Sequence, residues 1–131
     1  MAGRVVVITG STRGIGLELA KACLARGDRV VVHGRDPSKV AAELGAIGIA
    51  ADLATVDGPA ALIAQALAAC GRIDVLVNNA ASSPARTPLW EAEAGELGDA
   101  IAINVRAPQL CARAVLAWSI PAGHHVRIVN V

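Results

Sequence analysis

Hydrophobic and polar positions along this 131-residue chain fall into two kinds of run, and the two alternate. Arg4–Thr9, Arg29–His33, Ala46–Ala50, Ile73–Val77 and Val126–Val131 are short stretches rich in branched apolar residues, the signature of buried strands. Ala46–Ala50 is the weakest of them. The stretches between carry helical spacing. In Ile15–Arg26 the residues Ile15, Leu19 and Cys23 share one side, with Glu18, Lys21 and Arg26 elsewhere. Gly27-Asp28 reads as a turn. Asp36-Pro37 reads as the N-cap and first position of a helix that ends near Leu44, with Gly45 as its stop. Gly58-Pro59 opens an Ala/Leu-rich helix that stops at Gly71, and Glu93–Ser119 is mainly helical.

The order is βαβαβαβαβ, with strands apolar on both faces. That pattern predicts one α/β domain over residues 1–131, an open parallel sheet doubly wound by helices through right-handed crossovers. No linker, repeat or low-complexity tract divides it.

Composition narrows the function. Hydrophobic residues make up 54% of the chain, enough for a core, and the net charge is +1, which gives no footprint for nucleic acid. There are two Trp and no Phe or Tyr, so the stacking platforms of single-strand binders are missing. The three cysteines, Cys23, Cys70 and Cys111, lack C-x-x-C spacing and fall in apolar helical stretches. They read as packing residues in a reducing compartment. No signal peptide is visible, and no run reaches the roughly 18–20 apolar residues of a membrane span. The expectation is a soluble, cytoplasmic protein without nucleic-acid or membrane partners.

The first strand runs into three glycines within "TGSTRGIG", Gly10, Gly14 and Gly16. A strand, a glycine turn and a helix start form the geometry that binds a diphosphate. One glycine permits the turn, one lets backbone approach phosphate, and one lets the helix pack closely. The amides and positive dipole end of the following helix then face the anion. The spacing is G-x-x-x-G-x-G, and no Lys-Ser/Thr follows as in a Walker loop. A tight turn without ligand is the plain alternative for this loop taken alone.

"TGSTRGIG" at Thr9–Gly16, "DL" at Asp52-Leu53, "NNAA" at Asn78–Ala81 and "NV" at Asn104-Val105 resemble, in order, the motifs of the classical short-chain dehydrogenases/reductases. The resemblance covers Arg4 to Val131. It implies a Rossmann-type doubly wound parallel sheet, here truncated after the fifth strand. It also implies a dinucleotide held by Thr9, Gly10, Ser11, Arg13, Gly14, Ile15 and Gly16. Asp52 would accept from the adenine amino group, and Leu53 would lend a backbone contact. Asn79, Ala80 and Ala81 would pass under the nicotinamide-side ribose, while Asn78 ties neighbouring strands. The family usually has Gly where this chain has Ala81, whose methyl group crowds that ribose.

The second strand decides the nucleotide. An acid at its end holds the ribose 2′-OH of NAD, and a cation accommodates the 2′-phosphate of NADP. The matching residue is Arg35, and Arg13 reaches from the loop, so NADP(H) is expected over NAD(H). Asp36 beside Arg35 could neutralise it or offer an acid for NAD, and is read instead as the helix N-cap before Pro37.

The resemblance implies hydride transfer between nicotinamide and a carbonyl or alcohol, with a Tyr acid/base, a Lys that lowers its pKa, an orienting Ser and an Asn that holds a water. Only the Asn is present, as Asn104. Pro108, four residues on, has no N–H for the Asn104 carbonyl, which leaves that oxygen available to a water and bends the helix. A simple bend around the core is the alternative. Lys21 and Lys39 lie far from the expected place, and Ser82, Ser83 and Ser119 do not match it. His33, His124 and His125 lack a partnered acid or cysteine at ligand spacing, so no metal is expected.

"HVRIVNV" resembles the strand that leads to the catalytic Ser, so the expectation is the N-terminal half of a reductase: a truncated product, a fragment or a degenerate copy. By itself it should be inactive or nearly so, and a substrate would need the missing half. The alternatives are an NADP-binding module or pseudoenzyme, or a non-functional fragment. Self-association through the 93–119 helix or the exposed 126–131 strand is a further expectation.

Overall fold

A computed structural model of the chain describes residues 3–83 and 87–131. Five parallel strands form one sheet in the order β3-β2-β1-β4-β5. They are β1 Val5–Ile8, β2 Arg29–Gly34, β3 Ile47–Ala50, β4 Val75–Asn78 and β5 Arg127–Asn130. Between them lie α1 Gly14–Ala25, α2 Ser38–Leu44, α3 Gly58–Cys70, α4 Ala94–Ile101 and α5 Ala107–Ser119. The α/β, Rossmann-type reading therefore holds. β1 is central, paired with β2 from Val5↔Arg29 to Ile8↔Val32 and with β4 from Val6↔Val75 to Ile8↔Val77.

Successive strand residues face opposite layers, which explains the continuous apolar runs. Val7, Val31, Ile49 and Leu76 pack with Leu62, Ile63 and Ala66 of α3 and with Ala107, Cys111 and Val115 of α5. Val6, Ile8, Val30 and Val32 pack on the other side with Ala20 of α1 and Ala41 of α2. Fully burying such a side chain is worth roughly 1.5–3 kcal/mol. Cys111 belongs to the first layer, and burial pushes its thiol up to about 11.

Two details differ from the sequence pattern. Ile15 does not face the core: it is 66% exposed, and the buried residues of α1 are Gly16 and Ala20. Ile15 borders the hollow at the carboxyl ends of the strands, while Gly16 of the same turn packs against Gly10 and Asn79. The 93–119 helix is also not continuous. A π-helical turn, Ala102–Arg106, separates α4 from α5, with the Ala107 N–H donating to the Ala102 carbonyl. Pro108 supplies no N–H and its ring crowds the carbonyl four residues back, so the chain widens just ahead of it. A short 3-10 turn at Leu89–Glu91 was not legible in the pattern.

Two carboxylates fasten the amino end of the sheet. Asp28 accepts from the Arg4 main-chain N–H at 3.1 Å and from its Nη2 at 2.8 Å. Asp74 accepts from the Val5 N–H at 2.7 Å, Arg72 Nε at 2.9 Å and His124 Nε2 at 2.9 Å. His124 thus has an acid partner after all, brought in from 50 residues away. Hydrogen bonding from Arg4 holds the Asp28 carboxyl below the usual carboxylate range. Burial works against ionised Asp74, but its Val5 and Arg72 donors prevail and lower it too.

Leu62→Ala should cost about 2–5 kcal/mol in urea unfolding, while Ile15→Ala should cost under about 0.5 kcal/mol. Equal losses would contradict the exposed first turn. A depressed carboxyl pKa stabilises the fold above the ordinary carboxylate value, and that stability is lost as pH falls through the lowered one. Asp28→Asn should therefore lower stability at neutral pH and flatten its decline below about pH 4, read from urea midpoints across a pH series.

Candidate nucleotide site

β2 and β3 extend to one side of β1, and β4 and β5 to the other. Connections leaving in opposite directions open a crevice at the carboxyl ends of the strands. A cavity of 810 Å³ lies there, walled by Gly10–Ile15 after β1 (Ser11 excepted), Gly34-Arg35 after β2, Asp52-Leu53 after β3 and Asn79–Ser83 after β4.

The glycines act through space and backbone. Gly10 has φ +62°, and a β-carbon on it would lie 2.7 Å from the Ala80 Cα. A β-carbon on Gly16 would lie 2.5 Å from both Asn79 Nδ2 and the Gly10 carbonyl oxygen. Gly14, φ +57°, has open space on that side. So Gly10 and Gly16 let the loop close against β4, and Gly14 turns the chain at the cavity mouth. Arg13 precedes α1 with no side-chain cap, and the first turn carries no acid. The amides there are free to meet an anion.

Hydrogen bonds lock the loop on both flanks. Thr9 Oγ1 accepts from the Asn79 and Ala80 N–H groups, both at 2.9 Å. Asn79 Nδ2 donates to the carbonyls of Thr9 at 3.1 Å and Gly10 at 3.0 Å. Ser11 Oγ donates to the Ile8 carbonyl at 2.7 Å and accepts from the His33 N–H at 2.9 Å. Thr9 and Ser11 are 2% and 0% exposed, so their side chains build the wall from behind. Asn78 Nδ2 donates to Asn130 Oδ1 at 2.9 Å, tying β4 to β5 as the sequence suggested.

Arg13, Arg35 and Asp52 are exposed on the rim. Asp36 does not neutralise Arg35: its Oδ1 accepts from the Ser38 hydroxyl at 3.0 Å and the Ser38 N–H at 3.4 Å in a local turn, while the N-cap position expected for it is occupied by Pro37. The helix itself begins one residue later than expected, at Ser38. Asp52 Oδ1 accepts from the Ala54 N–H at 2.9 Å in a local turn, and the Leu53 side chain is buried in the core.

Asn104 does not line the cavity. Its amide forks onto the Ser82 peptide, Oδ1 accepting from the N–H at 2.8 Å and Nδ2 donating to the carbonyl at 2.7 Å. It thereby anchors the loop after β4 to the π turn. Beside it, Arg106 Nη2 donates to the Ala54 carbonyl at 2.6 Å.

Sequence reasoning missed His33 and Thr12. His33 is 4% exposed, and its ring bridges the glycine loop and β3. A polar residue inside an apolar strand was the available signal. Thr12 fills the space beside Gly34, where a β-carbon would lie 2.6 Å from its Cγ2. A second hollow, 590 Å³ at the amino end of the sheet, is lined by Arg4, Arg72, Asp74 and Arg127. Arg4 and Arg72 are already paired there with Asp28 and Asp74.

A family model described as short chain dehydrogenase matches residues 4–131. The chain belongs to the short-chain dehydrogenase/reductase family. Among its relatives, this short-chain dehydrogenase chain is 37% identical over 108 residues to L-fucose dehydrogenase of Oryctolagus cuniculus, covering 79% of this chain and 38% of that protein. It is 34% identical to gluconate 5-dehydrogenase of Gluconobacter oxydans over 143 residues, covering 100% of this chain and 54% of that protein. A metagenomic short-chain oxidoreductase solved in complex with NADP is 39% identical, with a TM-score of 0.87 over 98% of this chain and 62% of that one. The chain spans about half the length of these curated relatives.

Gly16→Ala forces backbone apart and should cost about 1–3 kcal/mol. Gly14→Ala meets only the left-handed backbone penalty, about 1–2 kcal/mol, and should keep the loop packed against Asn79. Thermal melts with amide spectra of Asn79 and Ala80 check this: the Asn79 and Ala80 signals should move in Gly16→Ala and stay in Gly14→Ala.

Proposed function

We propose that these 131 residues are the dinucleotide-binding half of an NADP(H)-dependent oxidoreductase that moves a hydride between nicotinamide and a carbonyl or alcohol. The observation that carries this reading is the uncapped, acid-free start of α1, set behind a glycine cradle and opening on a cavity rimmed by two arginines. A dinucleotide diphosphate fits there. The relative bound to NADP supports the same reading.

In this reading the amides at Gly14, Ile15 and Gly16 bind the diphosphate. Arg13 and Arg35 clamp the 2′-phosphate, since among the described residues neither is in an ion pair. Asp52 and the Leu53 backbone hold adenine, and Asn79–Ala81 support the second ribose. Bound nicotinamide supplies or accepts the hydride. Asn104 keeps the Ser82 loop in place through its side chain, and its carbonyl, denied a partner at Pro108, holds a water for proton movement.

A second reading rests on composition. The chain has no Tyr, and Lys21 and Lys39 sit on α1 and α2 outside the cavity wall. A chain without the acid/base group loses about 10²–10⁴ in rate. By itself it would act as an NADP-binding module with at most trace turnover. Among the described residues no helix is long and apolar enough to cross a membrane, and we place the protein in the cytoplasm. Exposed Ile101, Val105 and Leu116 on the helical arm, and Val129 and Val131 at β5, are the surfaces for self-association.

Titration with NADPH and NADH, followed by calorimetry, tests the reading. NADPH should bind tighter, and Arg13→Ala or Arg35→Ala should each weaken NADPH by about tenfold, about 1.4 kcal/mol, while leaving NADH nearly unchanged. Equal affinities for the two nucleotides would remove the NADP assignment. Reductase assays on the same samples separate enzyme from binding module.

A further inference from the structure

We propose that His33 is a positioning residue for the dinucleotide: a neutral imidazole, protonated on Nε2, that holds the glycine loop in its binding shape from the neighbouring strand. This rests on the nucleotide reading above and adds a residue to it. His33 ends the buried part of β2, and its ring lies between two backbone groups. The Gly10 N–H donates to Nδ1 at 3.1 Å, and Nε2 lies 3.0 Å from the Ala51 carbonyl. An N–H can only donate and a carbonyl can only accept, so only the Nε2–H neutral ring satisfies both. An imidazolium would set a second donor against the Gly10 N–H. The main chain of His33 is bonded to the same loop, its carbonyl accepting from the Ser11 N–H at 2.9 Å and its N–H donating to Ser11 Oγ at 2.9 Å. Four hydrogen bonds therefore connect this one residue to Gly10, Ser11 and the end of β3.

The consequence is a link between the two ends of the bound nucleotide. The loop that faces the diphosphate and the segment after β3 that faces adenine share one ring as a spacer. Burial lowers the pKa of His33 below its ordinary 6.5, which keeps the ring neutral at physiological pH. Neither β1 nor β3 places a titratable side chain beside it. The charged groups around the same cavity are Arg13, Arg35 and Asp52, with Asp99 farther along its wall. Because the folded pKa is the lower one, the arrangement is complete above the ordinary histidine value. It is lost as pH falls through the lowered one.

Two measurements on the full chain test this. Nitrogen-15 NMR of the nucleotide-free protein should show His33 as the Nε2–H tautomer at neutral pH, and acidification should move the Gly10 and Ser11 amides together with the ring. A charged ring or the Nδ1–H tautomer overturns the proposal whether or not NADPH binds. NADPH titration of variants is the second measurement. His33→Ala should weaken NADPH by about tenfold, by loss of one buried acceptor. His33→Asn, whose Oδ1 stands where Nδ1 stood, should restore most of that affinity, and His33→Gln, which reaches toward Ala51 instead, should not. Wild-type affinity should fall on acidification through the lowered His33 pKa more steeply than that of His33→Asn, a comparison that cancels the titration of NADPH itself. Parallel profiles, or equal affinities for the three variants, overturn the proposal. If the wild type ignores NADPH while the ring and the Gly10 amide titrate together, the nucleotide reading fails and the loop-holding role stands.

Discussion

The carboxyl edge of this sheet depends on one close approach between backbones. Gly10 and Gly16 press against Ala80 and Asn79 at distances where no β-carbon fits. That contact lets β1 turn directly into α1 while the chain leaving β4 passes alongside. Interiors do not yield to an added methyl group without displacement. A side chain at either glycine would push α1 outward and carry its free amides away from the cavity. The hydrogen bonds of Thr9 and Asn79 are arranged around this contact and fix it in one geometry.

The two ends of the sheet use charge in opposite ways. At the amino end, Asp28 and Asp74 meet Arg4, Arg72 and His124, and strand starts are fastened by these hydrogen-bonded contacts. At the carboxyl end, Arg13 and Arg35 stand on the rim without an ion pair among the described residues, and the start of α1 carries no acid. Asp52 stands on the same rim, also without an ion pair among the described residues, whereas the carboxylates of the amino end are held by cations and amides.

The helical arm connects these layers to the site. Pro108 cannot continue an α-helical ladder, and the π turn ahead of it sets Asn104 and Arg106 at useful places. Asn104 grips the Ser82 peptide of the loop after β4, and Arg106 reaches the Ala54 carbonyl of the loop after β3. One irregular turn thus braces two walls of the cavity.

The fold was legible because parallel strands buried on both faces leave unbroken apolar runs, and glycine and proline mark the turns between them. The cavity was legible at Gly10, Gly14 and Gly16 because only a close approach or a left-handed backbone demands glycine there. Other parts were not. Ile15 was misread because periodicity cannot say that the start of α1 borders a cavity rather than a packed layer. His124 looked unpartnered because its acid lies on a distant segment. Residue identity and spacing settled the order of elements, the family and the cations beside the loop. Tertiary structure alone decided that His33 spans Gly10 and Ala51 and that Asn104 holds Ser82. Such pairings follow from which strands lie side by side, and local sequence does not encode that.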